Sequence, residues 1–567
     1  MLVWFGAAAP TTTALRKVTM NTHRFRRSAI VSATLVAAMM VMTACGASET
    51  AAPASDAQRV EGGTLVYAHQ QEPQCLYGGW IEQAYISYQF LDNLVSLDDD
   101  GSVVPWLAES WEVAGDGLTY TLTLKDGVSF TDGTPVDAEA IAYNFDYWIA
   151  GGNSTASVWL DGYYESAEVI DDATVAIHLT SPYPRFLENL AQSYFGIQSK
   201  QALETRTDEE NCEKPIGSGA FVVEEWNRGE NVLFTRNENY TSSPANAEHT
   251  GPAYLEQIDW RFVADGVTRV SALRSGEADV IYDIPALEWA GLSSEQWELL
   301  KYVTPGRPQQ ISFNTTRAPF DDESVRKAFI YSLDRKTIVE TIGHGVIPYD
   351  GNGSVSQSTP GYSQAAADLY SYDVDEANSL LDAAGWTDRD ADGYRIKDGR
   401  TLDVVFPYNS GTIINADGAA IFQAVQEQAK ATGFKVKLIP VPPSETWAGK
   451  YAGPDSYDIS AGYWTSVNAG ILHITWRSST EEKPNYSNSA FYNDPELDRI
   501  ILEANSTADL DAQNALYQQA QEYIAERATA FGLYDRLSTL GVNPHVRGVW
   551  QENSQGGPTF YDSYFVE

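Results

Sequence analysis

Apolar residues in this chain follow two rhythms, one with a period of two and one with a period of three to four. Residues 119–124 alternate strictly: Tyr120, Leu122 and Leu124 share one face, and Thr119, Thr121 and Thr123 share the other. That alternation predicts a half-buried strand, and Gly115-Asp116-Gly117 and Asp126-Gly127 bracket it as turns. Thr64-Leu65-Val66-Tyr67-Ala68, behind Gly62-Gly63, predicts another strand that runs into the polar loop His69-Gln70-Gln71-Glu72-Pro73. Helical spacing is equally clear. Asp137 can cap a helix through Trp148, and Asp322 can cap one carrying Val325, Phe329 and Leu333, with Gly343 as its stop. Asp375 can cap a helix carrying Ala377, Leu380, Leu381 and Ala384. Asp494-Pro495 joins an N-cap to a proline at the first helical position, ahead of the stripe Leu497, Ile500, Ile501 and Ala504. Strands and helices are mixed throughout, so the fold class is α/β or mixed α+β. More than 500 residues beyond the N-terminal segment predict about three domains at roughly 150 residues each.

The front of the chain departs from this pattern. Arg24, Arg26 and Arg27 precede a charge-free run from Ala29 to Met42, and small residues then lead to Cys45. A basic cluster, a short apolar run and a small-residue cut site describe a secretory signal. The run is too short for a bilayer span, which needs about 20 residues. Its end at Met42-Thr43-Ala44-Cys45-Gly46 resembles a bacterial lipobox, which implies lipidation of Cys45 and removal of residues 1–44. Met20 opens a signal of ordinary length and is the expected start. Residues 45–61, rich in Ala, Ser, Thr, Pro and acidic residues, predict a flexible tether.

Charge agrees with export and narrows the partners. The chain carries 37 Lys and Arg against 77 Asp and Glu, a formal net charge of −40. Five of the basic residues and none of the acidic ones lie in residues 1–44, so the remainder is more acidic still. Such a surface excludes nucleic acid as a partner, because that binding depends on basic residues neutralising phosphates. Beyond Cys45 only Cys75 and Cys212 remain. Outside the reducing cytoplasm they are a possible disulfide pair, with two buried free thiols as the alternative.

A series of ordered motifs then points to one family. Leu91-Asp92-Asn93-Leu94-Val95, Val104-Pro105-Trp106-Leu107-Ala108-Glu109-Ser110-Trp111, Leu124-Lys125-Asp126-Gly127-Val128 and Asp132-Gly133-Thr134-Pro135 follow in one run. Pro215-Ile216-Gly217-Ser218-Gly219-Ala220-Phe221, Arg236-Asn237-Glu238-Asn239-Tyr240 and Leu273-Arg274-Ser275-Gly276-Glu277-Ala278-Asp279 come next, and then Pro319-Phe320-Asp321-Asp322 through Leu333-Asp334-Arg335. The set resembles the family 5 solute-binding proteins of ABC importers, the oligopeptide, dipeptide and nickel binders. The resemblance implies a two-lobed periplasmic-binding-protein-like fold with a hinge and an extra inserted domain. Lobe I is expected from residues 62–97, 213–311 and 531–567, the inserted domain from 98–212, and lobe II from 312–530. It also implies a monomer whose partners are a small-molecule or peptide ligand, an ABC permease and its ATPase subunits. The membrane is met only through the lipid anchor, on the outer face of the cell membrane or in the periplasm. No cofactor and no catalytic residue is implied.

The same resemblance supplies candidate ligand-binding residues. The loop after the first strand contributes Gln70, Gln71 and Glu72. The segment Asp458 to Asn468 resembles a "D-x-x-x-x-G-W" element and contributes Tyr463, Trp464, Thr465 and Asn468. The family places an acidic residue for a peptide's α-amino group just beyond it, where this chain has Val467 and Asn468. An unpaired buried ammonium is costly, so Glu72 or another acid supplies the charge, or the ligand lacks a free amine. A di- or oligopeptide leads as ligand, and a sugar, an opine or a nickel chelate are the alternatives. His69 and His473, both in cleft segments, keep the nickel reading open, although the 7 histidines show no close ligand spacing. Asp388-x-Asp390-x-Asp392-Gly393 begins like a calcium loop, but Gly399 stands where the bidentate glutamate belongs, so a hairpin turn is expected. A secreted hydrolase has no motif beyond generic acidic pairs.

Overall fold

The computed structural model describes residues 58–567 except 79, 80, 412 and 482. The signal segment, Cys45 and most of the expected tether lie outside the described residues. The last part of that tether is ordered. Arg59 and Val60 pair antiparallel with Val566 and Phe565, and the Arg59 guanidinium sits 3.9 Å from the Tyr254 ring and 4.6 Å from Tyr564. Strand pairing and cation–π contact hold what its polar composition predicts to be free.

Strand β1 (Thr64–His69) opens lobe I and buries Leu65, Tyr67, Ala68 and His69. The chain then enters the insertion, whose strands β2 (Ala108–Val113), β3 (Thr119–Leu124), β4 (Tyr164–Asp171) and β5 (Thr174–Leu179) form an antiparallel sheet in the order β2-β3-β5-β4. Tyr120, Leu122 and Leu124 face its core, as their alternation predicts. Helix α1 (Ala138–Tyr147) packs behind it, and its N-cap Asp137 accepts from the Ala140 amide. Short α2 (Asp208–Glu213) carries Cys212 and starts in a Thr207–Glu210 capping box.

The chain returns to lobe I through β6 (Phe221–Asn227), β7 (Asn231–Arg236), β8 (Gln257–Phe262), α3 (Gly266–Ser275), β9 (Val280–Tyr282), α4 (Ala286–Ser293) and β10 (Glu298–Val303). It crosses at Thr304-Pro305 into lobe II. There β11 (Gly306–Phe313) is followed by α5 (Glu323–Tyr331), α6 (Arg335–Ile342), α7 (Val374–Ala383), β12 (Asp403–Asn409), α8 (Ala416–Thr432), β13 (Lys435–Val441), β14 (Ile459–Thr465), α9 (Ile471–Trp476), α10 (Pro495–Ser506), α11 (Leu510–Glu526) and β15 (Ala530–Tyr534). Asp535-Arg536 crosses back, and β16 (Leu537–Val542) completes lobe I. Its seven strands run β10-β16-β9-β1-β8-β7-β6, with β1 parallel to both β8 and β9. In lobe II, β11 lies between β14 and β15. This pairing puts the crossovers at 304–305 and 535–536, a few residues from the expected 311 and 531.

Two helix ends differ from the sequence reading. The helix capped by Asp322 stops at Tyr331, because Asp334 caps a new one by accepting from the Thr337 amide. Helix α7 is capped by Asp373, which accepts from the Glu376 amide, two residues before Asp375. Lobe II closes around Phe313, Phe329, Phe406 and Phe434. The core of lobe I and the insertion extends into α9 to α11 through Trp476, Tyr517 and Ile524. Polar bonds tie the insertion to the same helices: Arg185 Nε donates to Gln513 at 2.8 Å, and Asn505 Nδ2 donates to the Tyr163 hydroxyl at 2.6 Å.

Candidate ligand cleft

Parallel strands β1 and β9 end side by side, and they deliver Gln70 and the Tyr282-Asp283 pair to one edge of lobe I. The crevice beyond the carboxyl ends of parallel strands is where α/β sheets bind ligands. Lobe II faces that edge with Tyr463 on β14, Asn415 and Asp417 at the start of α8, and Tyr534 on β15. Between them lie two adjoining cavities. The smaller is lined by Gln70, Asp283, Gln309, Asp417, Asp535 and Arg536, among others. The larger, about 470 Å³, is lined by Tyr194, Arg307, Trp464, Thr465 and Tyr486, among others. Tyr463 and Ile413 line both. The larger volume falls in the range of small-molecule sites, roughly 300–1,000 Å³.

The lobes touch at the rim. Asn415 Nδ2 donates to Asp283 Oδ1 at 3.1 Å, and the Ala286 amide in the first turn of α4 donates to Asp417 Oδ2 at 3.0 Å. A carboxylate at a helix N-terminus also meets the positive end of its dipole. Asp283 holds a φ of 53°, a left-handed conformation that aspartate adopts more readily than most residues. Arg269 fixes it with an ion pair of 3.1 Å.

The floor of the cleft is made by the two crossovers. Arg536 donates to the Tyr85 hydroxyl at 2.9 Å and the Tyr282 hydroxyl at 2.6 Å, and its guanidinium lies 4.6 Å from the Tyr463 ring. Arg307 extends over Gly462, where an added Cβ would come within 3.0 Å of its Nη2. Its Nε is buried without a partner, and burial pulls its pKa down to about 10, so it stays protonated at neutral pH. Burial pushes the Asp535 carboxyl up to about 6. Asp350, buried against it, is pushed further up by burial and by the neighbouring charge of Asp535. Gln309 is buried, and neither atom of its side-chain amide has a partner in the protein.

The candidate residues read from sequence divide sharply. Gln70 lines the smaller cavity, Trp464 and Thr465 the larger, and Tyr463 both. Thr465 Oγ1 is already bonded to the Tyr194 hydroxyl at 3.0 Å and to Gln555 Nε2 at 3.1 Å. Gln71 lines neither cavity, and its buried side-chain oxygen has no partner. Glu72 turns away from the cleft: its Oε1 accepts from Trp226 Nε1 and from the Gly229 amide, both at 3.0 Å, in the β6–β7 hairpin. Glu72 therefore does not supply the missing acid. Asn468 likewise lines neither cavity. It is buried, and its Nδ2 donates to Asn189 Oδ1 at 3.1 Å and Glu188 Oε2 at 3.4 Å, so it joins lobe II to the insertion.

Cys75 and Cys212 lie together as two free thiols, and Cys212 Sγ also donates to the Gln74 carbonyl at 3.6 Å. Their mutual hydrogen bond raises the Cys75 pKa and lowers that of Cys212. His69 stacks on Tyr282 at 4.7 Å and shares Nδ1 with the Tyr67 hydroxyl. Burial lowers the His473 pKa to about 4. Among the described residues no cluster of three or more His, Cys, Asp or Glu is placed to hold a metal. Asp390 makes a turn between two short strands, its Oδ1 accepting from the Asp392 and Tyr394 amides. Sequence reading misses Asp283, Arg307, Asn415, Asp417 and Arg536. The one local signal is Pro305-Gly306, a strand break directly before Arg307.

A polar and aromatic chamber between two lobes that cross over twice defines a two-lobed solute-binding protein. Residues 102–470 match the bacterial extracellular solute-binding proteins, family 5 Middle. The chain belongs to this family and, as a member, is the extracytoplasmic solute-binding component of an ABC importer and not an enzyme. It is 28% identical over 475 residues to the glutathione-binding protein GsiB of Salmonella typhi, covering 82% of this chain and 87% of that one. The periplasmic binding protein DppA of Helicobacter pylori, in complex with the peptide STSA, superposes with a TM-score of 0.77 at 22% identity, covering 90% of this chain and 99% of that one. The oligopeptide-binding protein AppA of Bacillus subtilis, in complex with a nonapeptide, superposes with a TM-score of 0.78 at 22% identity, covering 90% of this chain and 100% of that one. Among the described residues no helix is long and apolar enough to cross a membrane.

Proposed function

We propose that the protein captures a di- or oligopeptide in this cleft and delivers it, as a monomer, to a membrane permease driven by ATPase subunits. The observation that carries this reading is the unlike charge of the two adjoining cavities. The smaller gathers Asp283, Asp417 and Asp535 around one arginine. Among its described lining residues the larger holds Arg307 and no carboxylate. A chamber acidic at one end and basic at the other suits a zwitterion. The unpartnered amide of Gln309 offers a donor and an acceptor to a ligand backbone. The relatives' ligands, glutathione and two peptides, support the same reading.

The lipobox-like sequence at Cys45 supports a lipid anchor on the outer face of the membrane. Two or more acyl chains hold a protein stably where one does not. Labelled fatty acid is expected to enter the wild-type protein and not the Cys45→Ser variant; label in both removes the anchor from this reading. Native mass spectrometry of the purified protein, followed by fragmentation of whatever denaturation releases, tests the ligand class. Peptide masses are expected. A sugar, an opine or a nickel chelate overturns the peptide assignment and leaves the family intact.

A further inference from the structure

The geometry assigns Arg307 as the receptor for a carboxylate of the ligand. This assignment rests on the peptide reading above and adds the direction in which the ligand lies, its carboxylate end in the larger cavity and its amine toward Asp417 and Asp535.

Arg307 stands on β11 just past the first crossover, opposite Trp464 on β14. The buried arginines Arg269, Arg326 and Arg335 have partners within the protein. Arg269 pairs with Asp283, Arg335 donates to Asn352 Oδ1 and to the Gly351 and Tyr370 carbonyls, and Arg326 donates to the Phe320, Arg527 and Ala528 carbonyls. Arg307 differs in that none of its guanidinium nitrogens is bonded among the described residues, whereas Arg335, whose Nε is also unbonded, is held through its other two. The Nε of Arg307 is buried and unbonded, and among the described residues no carboxylate forms an ion pair with its guanidinium. Gly462 clears the space that the guanidinium occupies. A half-buried guanidinium at a cavity wall without a counter-ion is open to pairing with an arriving anion, and its planar fork matches a carboxylate. Trp464 beside it lines the same cavity and supplies aromatic surface to the side chains that flank such a group. The chain is strongly acidic, so a lone cationic point inside its cleft also selects the end of the ligand that enters there.

Calorimetric titration of the purified protein with an unblocked tripeptide and with its C-terminal amide tests the assignment. Wild type is expected to bind the acid at least tenfold more tightly than the amide. Arg307→Gln is expected to bind both with the weaker affinity, and Arg307→Lys to recover part of the difference. The ligand-free Arg307→Gln protein is expected to melt at or above the wild-type temperature, because no internal partner is lost. Equal wild-type affinity for acid and amide overturns the assignment, and so does retained discrimination in Arg307→Gln. A lowered melting temperature with unchanged discrimination makes Arg307 a structural residue. If Arg307→Gln fails to fold, Gly462→Ala displaces the guanidinium and supplies the same comparison. If wild type binds neither tripeptide form, the peptide reading falls by itself. The ligand released from the purified protein is then methyl-esterified and returned: loss of rebinding to wild type but not to Arg307→Gln keeps the assignment, and an uncharged ligand overturns it.

Discussion

Glu72 sits in the loop that reaches the cleft, two residues after Gln70, yet its carboxylate serves a neighbouring hairpin. Its bonds to Trp226 and Gly229 predict the outcome of removing it. Glu72→Ala is expected to lower stability by about 1–2 kcal/mol in a urea titration and to leave ligand affinity within twofold. A large loss of affinity would return Glu72 to the site. The two thiols behave as one unit on similar grounds. Cys212, whose pKa falls through the hydrogen bond from Cys75, is expected to alkylate first, and Cys75→Ser to slow that reaction. Excess oxidised glutathione is expected to exchange with the pair, leaving a protein disulfide and two reduced glutathiones, with both free thiols lost together. Independent loss of the two thiols would show that they are too far apart in solution to react with each other. At this scale Tyr463 and Trp464 are legible from their motif. Arg307 and Arg536 are not, because what surrounds a guanidinium is a property of space and leaves no mark on neighbouring residues in the chain.

Helix starts are the most legible elements, since a cap and its amide lie within three residues of each other. Asp137 and Asp494 act where the sequence places them. The break between α5 and α6 is visible only once Asp334 is seen to compete as a cap with a continuous helix that still satisfies the apolar spacing. The lobe boundaries are illegible for a related reason: β11 and β15 read as strands, but pairing alone decides which sheet they join. The start of α8 has the clearest functional consequence at this scale. Asn415 and Asp417 reach lobe I only when the lobes meet, so they favour that arrangement and add to apparent affinity through its population. Asp417→Ala is expected to weaken ligand binding about tenfold, close to 1.4 kcal/mol, with little change in melting temperature of the ligand-free protein. X-ray scattering of that ligand-free variant is expected to show a larger radius of gyration than wild type. Unchanged affinity and unchanged scattering would mean that the rim bonds contribute nothing to closure.

Across the whole molecule, acidity shapes the response to pH. Burial pushes both Asp92 and Asp535 up to about 6, from 3.8 in the unfolded chain. The folded protein therefore binds protons that the unfolded chain has released, and stability falls as pH rises from about 4 to about 6. Relief of repulsion among the surplus carboxylates acts in the same direction as pH is lowered. The melting temperature is expected to be higher at pH 5 than at pH 7.5, and Asp92→Asn to flatten the difference; a melting temperature that rises with pH would contradict it. The two crossovers add a consequence for time rather than energy. They are bonded to each other, Thr304 amide to Arg536 carbonyl at 2.9 Å, so the two crossovers form one strip about which the lobes are expected to turn. Residues on the strip move least as the lobes part, and residues at the rim move most. If the lobes part about this strip, a ligand is expected to meet Arg307 and Arg536 first and Asn415 and Asp417 only on closure. The floor governs how often a visitor is caught, and the rim governs how long it stays.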